Sequence, residues 1–327
     1  MIRHRELLAS QSSLLQFTRT AETVSQTVIS AYSTSFGVAT RLLGKRHRSH
    51  VRNIYALVRV ADEIVDGVAS QAGLTPTEQM EALEKYSDET HLAMRTGYSS
   101  DLVIHSFAQT ARKVGIDETL TRPFFDSMRT DLLKGDDRGS VFDREAHAAY
   151  VYGSAEVVGL MCLRVFMRDL VVSDVEQQRI EHGARQLGAA FQNINFLRDL
   201  GDDTARLGRS YLGNDHPLTD EQLQSWVAEI RSQLSDAKDA IPFLPLDARA
   251  AVRSALALFS NLTDRVAHTS ADELYRARIR VPDPVKAALA SSAVLTTLIE
   301  TTNMTRTVMM GAPTSGDDRR RGGRRGA

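Results

Sequence analysis

The chain has 327 residues, of which 42% are hydrophobic, so it can bury a substantial core. Its formal net charge of −1 excludes a whole-chain bias toward nucleic acid or toward anionic membranes. A single cysteine, Cys162, excludes an intramolecular disulfide and is typical of a reducing compartment. Because the N-terminal region lacks the apolar core of a secretory signal, we expect a cytoplasmic protein.

Apolar residues recur at three- and four-residue spacing through most of the chain, which predicts an all-α fold. Helices are expected near residues 20–42, 48–67, 76–95, 98–114, 119–134, 143–171, 176–204, 219–237, 246–268 and 283–309. No Gly/Ser-rich linker divides the chain, so we expect a single domain over residues 1–310. Residues 311–327 have no apolar face and are predicted to form a disordered, Arg-rich tail.

Two carboxylates mark the end of the second predicted helix. Asp62 and Asp66 are four residues apart, which places them on one helical face, where like charges repel by about 0.2–0.5 kcal/mol. Their neighbours are largely apolar, so the helix is expected to be packed, and buried carboxylates need a partner. Arg59 lies three residues before Asp62 and is either a helix ion-pair partner or a donor to phosphate oxygens.

A second polar stripe follows in another apolar segment. Asn195, Asp199 and Asp203 are spaced at i, i+4 and i+8, and Arg198 directly precedes Asp199. Two such helices can face each other across a cavity if cations lie between their carboxylates. Oxygen ligands favour Mg²⁺ or Mn²⁺, and Mg²⁺ typically combines one or two carboxylates with phosphate oxygens. The pair of stripes therefore predicts a diphosphate site, whereas a lone stripe would usually be a solvated helix face.

Together with the tyrosine and arginine segments between and after them, these stripes resemble the motifs of the squalene/phytoene synthases. Those enzymes join two prenyl diphosphates head to head. The similar segments are Ser33-Thr-Ser35-Phe36, Tyr55 through Asp66, Tyr150 through Gly159, Asn195 through Asp203, Gly208 through Leu212, and Tyr275 through Lys286.

The resemblance implies a single isoprenoid synthase domain, a helical bundle around a central cavity. It implies that the metal ligands are Asp62, Glu63, Asp66, Asn195, Asp199 and Asp203. It implies that the catalytic residues are Asp62, Asp66, Asp199, Asp203, Tyr150 and Tyr211. It implies that the substrate-binding residues are Ser33, Ser35, Phe36, Tyr55, Arg59, Asn195, Arg198 and Arg278.

The activity implied is that of a phytoene synthase in carotenoid biosynthesis. Two geranylgeranyl diphosphates would condense through a cyclopropyl diphosphate to phytoene, with Mg²⁺ or Mn²⁺ and without NADPH. A squalene or dehydrosqualene synthase acting on farnesyl diphosphate is the nearest alternative, and a non-catalytic helical scaffold is another. The expected partners are the prenyl diphosphate and, through the Arg-rich tail, a peripheral contact with the cytoplasmic membrane face. Neither nucleic acid nor an obligate protein partner is expected.

Some positions depart from the family pattern. Glu156 and Val157 stand where many members have Gly-Thr, on a helix expected to line the cavity. Gly213 replaces a common proline, and Phe259 stands where a tyrosine hydroxyl is common. These changes concern substrate detail, since none removes an acidic ligand. The stripe Asp126…Asp131 and the pair Asp136-Asp137 could supply a further ion site, but they are expected to be exposed helix and loop acids.

Overall fold

The chain folds into helices packed around a cavity. The structure, a computed structural model, describes the backbone of residues 2–134, 143–202 and 217–310, with the side chains of 12–33, 36–133, 143–201 and 217–300. Within these ranges every regular element is helical, which confirms the all-α prediction. The α-helices are α1 Ile2–Tyr32, α2 Thr34–Leu42, α3 Lys45–Val65, α4 Val68–Gln71, α5 Pro76–Thr96, α6 Leu102–Val114, α7 Glu118–Lys134, α8 Arg144–Val151, α9 Val157–Met167, α10 Asp174–Arg198, α11 Leu200–Asp202, α12 Asp220–Ala240, α13 Leu246–Ala267, α14 Ala271–Leu274 and α15 Asp283–Met310.

The first predicted helix, 20–42, is wrong in two respects. Helix α1 begins far earlier than residue 20, and the helical conformation is interrupted at Ser33 before α2. Ser33 has extended dihedral angles (φ −140°, ψ 111°), and its hydroxyl accepts a hydrogen bond from the amide of Phe36 at 3.0 Å. This is an N-cap, which satisfies an amide that the first turn leaves without a partner. Ser33 at the break and Phe36 after it line the cavity.

The predicted helix 143–171 is interrupted at its centre. Helices α8 and α9 are joined by a π-helical turn, Tyr152–Glu156, which adds one residue to the helical repeat. By length and composition the whole stretch Arg144–Met167 is long and apolar enough to cross a membrane. In this protein it packs against α7 and α10 and lines the cavity. Such π-turns occur frequently at functional sites.

Two apolar cores flank the cavity. The first joins α3, α5, α6, α7 and α9, and the second joins α10, α12, α13 and α14. Glycines allow close contact where α10 crosses its neighbours: a Cβ at Gly188 would lie 2.5 Å from the carbonyl oxygen of Ala155, and one at Gly183 would lie 2.2 Å from the Cβ of Ala240. The helices around the cavity are therefore held at fixed positions by contacts that admit no side chain.

We expect the protein to lose stability in acid because of His50. This side chain is buried and bonds to the Thr110 hydroxyl at 2.9 Å, and burial lowers the pKa of His50 to about 4. The unfolded chain takes up this proton near pH 6.5 and the folded protein does not, so stability is full above pH 6.5 and falls toward pH 4, by up to about 3 kcal/mol. Urea unfolding between pH 4 and pH 8 measures this slope.

The matched variants are His50→Gln and His268→Gln, the latter on the surface. His50→Gln should reduce the loss of unfolding free energy between pH 6.5 and pH 4, whereas His268→Gln should leave that loss unchanged. An identical slope in the protein and in His50→Gln would contradict this account.

Candidate active site

A cavity of about 1230 Å³ lies between the two cores. Along α3 its lining runs from Val51 to Asp66 and along α10 from Ile180 to Asp199, about 22 Å and 28 Å at the helical rise per residue. On both helices the lining is apolar at first and acidic at the C-terminal end. The cavity therefore combines a long apolar lining with two acidic motifs. Its charged lining residues are Arg59, Asp62, Glu63, Asp66, Asp131, Arg198, Asp199, Arg278, Arg280, Asp283 and Lys286.

The first acidic motif lies at the C-terminus of α3. Asp66 caps the helix, and its amide donates to the Asp62 carbonyl at 2.7 Å. Burial, with the nearby Asp66 carboxylate, raises the pKa of Asp62 well above its usual range, although the Arg59 guanidinium opposes this. The negative end of the helix dipole adds to the repulsion. Cations placed here would relieve an accumulation of negative charge that the fold itself imposes.

Arginines neutralise part of this charge. Arg59 pairs with Glu63 one helical turn away, and its guanidinium lies 4.6 Å from the centre of the Tyr32 ring. Its Nε is buried and has no hydrogen-bond partner. Arg59 is thus held beside the motif with donor capacity still available.

The second motif lies at the end of α10, and the uninterrupted helix predicted over residues 176–204 is wrong. The helix ends at Arg198, and Asp199 is its C-cap with φ −100° and ψ 8°. Arg198 Nε and Arg278 Nε lie 2.9 Å and 2.7 Å from Asp199 Oδ1. The buried Oδ1 of Asn195, one turn earlier, has no hydrogen-bond partner. Both acidic motifs therefore end a helix, where carboxylates meet an unfavourable dipole.

Not every predicted residue can be placed. Asp203, Tyr211, Gly213 and the pair Asp136-Asp137 lie outside the described residues, and of Ser35 only the backbone is described. The others line the cavity: Ser33, Phe36, Tyr55, Arg59, Asp62, Glu63, Asp66, Tyr150, Asn195, Arg198, Asp199 and Arg278. The structure thus brings residues from α2, α3, α8, α10 and the segment before α15 to one cavity. Their individual roles stay predictions.

An aromatic cluster forms part of the cavity lining. Phe191 of α10 stacks on Phe259 of α13, with ring centres 3.7 Å apart, and Phe36 lies 5.7 Å and 5.8 Å from them. The ring centres of Tyr55 and Phe36 lie 6.2 Å apart, and burial raises the pKa of the Tyr55 hydroxyl. Phe259 is therefore a stacking partner inside the cavity wall. Its partner Phe191 was not identified from the sequence, because nothing local marks a cross-helix stack.

Asp131 is buried, which contradicts the expectation that it is an exposed acid. It is 4% exposed rather than a surface acid, it lines the cavity, and it accepts a hydrogen bond from the Tyr150 hydroxyl at 2.9 Å. Its position in α7, beside buried Met128 and Leu132, was the available signal.

The departures at Glu156 and Val157 do not enter the cavity. Their helix lines it through Ser154, Ala155 and Val158 instead. The Glu156 carboxylate instead lies 2.6 Å from Arg185 Nε of α10.

The donor set suits hard cations. Within the described ranges no three acidic, His or Cys side chains are close enough together to hold a metal ion alone. Mg²⁺ needs no such protein cage, because it keeps waters and shares phosphate oxygens with one or two carboxylates. Asp62, Asp66 and the unpartnered amide oxygen of Asn195 fit that pattern.

Known phytoene synthases are similar to this chain in sequence. Phytoene synthase 3, chloroplastic, of Zea mays is 29% identical over 82% of this chain and 64% of its own length. Phytoene synthase 1, chloroplastic, of Zea mays is 33% identical over 61% of this chain and 47% of its own. Phytoene synthase 1, chloroplastic, of Arabidopsis thaliana is 29% identical over 73% and 58%. The chain thus spans about half to just under two thirds of these relatives.

Solved structures show the same fold. A dehydrosqualene synthase superposes with a TM-score of 0.69 at 22% identity, covering 85% of this chain and 96% of the other. A squalene synthase from Alicyclobacillus acidocaldarius gives 0.63 at 15% identity, covering 80% and 97%. The squalene/phytoene synthase family model matches residues 29–284, which contain both acidic motifs and the cavity lining from α2 to the start of α15. The chain therefore belongs to the squalene/phytoene synthase family.

Proposed function

We propose that this protein is a phytoene synthase, a prenyltransferase that condenses two geranylgeranyl diphosphates head to head. The observation that carries the proposal is the cavity, which is lined by long apolar stretches of α3 and α10 and by the acidic motif at the C-terminal end of each helix. The named phytoene synthases among its relatives support the choice of product.

The proposed site holds the diphosphates through divalent cations. Asp62, Glu63 and Asp66 of the first motif, with Asn195, Asp199 and Asp203 of the second, would hold Mg²⁺ or Mn²⁺. When bound, these ions neutralise the leaving diphosphate and polarise its oxygens as Lewis acids. Asp199 is already paired with arginines, so its carboxylate is held in position before substrate arrives.

The chain's own side chains supply the remaining functions. Arg59, Arg198 and Arg278 donate to the diphosphate oxygens as charge builds up on them. The Phe36, Phe191 and Phe259 cluster excludes water, which would otherwise capture the allylic cation. Tyr55 and Tyr150 present oxygens or ring faces to that cation.

A product assay tests the proposal. Purified protein with Mg²⁺ would be given geranylgeranyl or farnesyl diphosphate, each with and without NADPH, and extracted lipids would be identified by mass. We expect phytoene from the longer donor without NADPH. Squalene or dehydrosqualene from the shorter donor would transfer the assignment to those synthases, which the structural neighbours favour.

Ligand binding separates a synthase from a non-catalytic scaffold. We expect Mg²⁺ and inorganic diphosphate together to raise Tm, because ligands that bind only the folded state stabilise it by about 2.7 kcal/mol at a hundred times Kd. At this chain length that corresponds to roughly 5–10 °C. Mg²⁺ alone and diphosphate alone are the controls, and no shift with both would support the scaffold.

We also propose a cytoplasmic protein that contacts the membrane face peripherally. Leu295, Leu298 and Ile299 form an exposed apolar stripe on α15, and five arginines occupy the last nine residues of the chain. Each Arg near an anionic surface contributes about 1 kcal/mol.

Liposome flotation tests this contact. The full chain should float with vesicles of anionic lipid, and removal of residues 316–327 should reduce the bound fraction severalfold. Vesicles of neutral lipid are the control. Equal flotation of the full chain and the truncated chain would show that the tail does not contribute to membrane binding.

A further inference from the structure

Helix α7 forms hydrogen bonds with both the backbone and the side chain of Tyr150. The Ser127 hydroxyl donates to the Tyr150 carbonyl at 3.1 Å, and the Tyr150 hydroxyl donates to Asp131 Oδ2 at 2.9 Å. Ser127 and Asp131 are four residues apart, so they share one face of α7. Each is 4% exposed. Both the backbone and the phenol of Tyr150 are therefore positioned by one rigid element.

The π-turn makes this contact possible. A Cβ at Gly153 would lie 2.2 Å from both the Pro123 carbonyl oxygen and the Ser127 hydroxyl, so only glycine allows this approach to α7. The close approach brings the end of α8, which carries Tyr150, against Ser127 and Asp131. The π-turn, Ser127 and Asp131 together hold Tyr150 in position.

The direction of the hydrogen bond determines what Tyr150 offers to the cavity. A phenol has one hydrogen and two acceptor lone pairs. Because the Tyr150 hydroxyl donates its hydrogen to Asp131, the phenol oxygen can act toward other groups only as an acceptor, through its lone pairs. A preorganised lone pair stabilises developing positive charge, whereas an O–H dipole in the same place would oppose it.

We propose that Asp131 is a positioning residue of the condensation. It holds the Tyr150 hydroxyl so that oxygen lone pairs, rather than the O–H, face the allylic cation in the cavity. This inference rests on the proposed function, because the positive charge is that of the prenyl substrate. Asp131 acts through Tyr150 and needs no contact with the substrate.

A double-mutant cycle tests whether Asp131 acts through Tyr150. With the prenyl diphosphate that the protein condenses, Asp131→Asn and Tyr150→Phe should each lower kcat about tenfold or more, with KM changed less than about threefold. The double variant should be no slower than Tyr150→Phe alone, since coupled residues are not additive. Fold reductions that multiply, or an unchanged kcat in Asp131→Asn, would overturn the proposal.

Two further measurements keep folding and turnover separate. Asp126→Asn, an exposed acid on the same helix, is the control variant, and Ser127→Ala is expected to lower kcat in the same direction as Asp131→Asn. Tyrosine labelled with ¹³C at Cζ gives a readout without substrate, with the Tyr150 signal assigned by its absence in Tyr150→Phe. That signal should shift in Asp131→Asn and not in Asp126→Asn, and an unshifted signal would overturn the proposal. Failure of the wild-type product assay would instead reject the proposed function.

Discussion

Asp62→Asn is expected to make the protein more stable and almost inactive. Burial and the Asp66 carboxylate raise the pKa of Asp62, so its charged form destabilises the fold at neutral pH. Removing that charge should raise Tm in EDTA by about 2–4 °C for each kcal/mol regained. Activity should fall at least about a hundredfold, because charge stabilisation by a bound metal contributes several kcal/mol and each 1.36 kcal/mol is tenfold in rate.

Thermal unfolding in EDTA and a steady-state assay measure the two effects on the same samples. Asp88→Asn, an exposed carboxylate on α5, is the matched control and should change neither. Asp62→Asn should also lose most of the Tm increase that Mg²⁺ with diphosphate produces. A variant that is less stable in EDTA but fully active would show that Asp62 is a structural residue.

Gly153→Ala should cause a large loss of stability. The new methyl group would lie 2.2 Å from a backbone carbonyl oxygen of α7, which cannot move aside as a flexible side chain can. Overpacking of a dense core usually costs about 1–3 kcal/mol, and we expect about 3 kcal/mol here. Activity should fall as well, because displacement of the π-turn in the variant would move the end of α8, which carries Tyr150, away from Ser127 and Asp131.

Urea denaturation measures this loss as a lower midpoint at constant slope. Gly37→Ala in α2 is the matched control: its Cβ would meet nothing closer than 4.0 Å, and replacing a helical glycine should stabilise by up to about 1 kcal/mol. If Gly153→Ala unfolds at the same urea concentration as the wild type, the close contact between the π-turn and α7 is wrong.

The acidic motifs were predictable from the sequence because their signal is local. The four-residue spacing of Asp62 and Asp66 in an apolar helix is unfavourable without a partner, and its recurrence at Asn195 and Asp199 indicated a shared site. The structure brings these residues to one cavity. Helical periodicity is also a local property, which is why the all-α class was predicted correctly.

The interruptions of the helices were missed. A Ser at position 33 is compatible with either a helix interior or an N-cap, and the choice depends on how α1 and α2 pack onto α3 and α13. The π-turn at Tyr152–Glu156 likewise has no distinctive composition. Both depend on tertiary packing, which can override local helix propensity by offering contacts a straight helix would not make.

The sequence by itself determined the helical class, the two acidic motifs and the family, since each depends on residue type and on spacing within one segment. Only the tertiary structure decided that Asp131 is buried against Tyr150, that Phe191 stacks on Phe259, and that Arg278 reaches Asp199. These contacts join residues 19, 68 and 79 positions apart. The reason is physical: burial and charge pairing depend on which helices meet, and that depends on the packing of the whole chain.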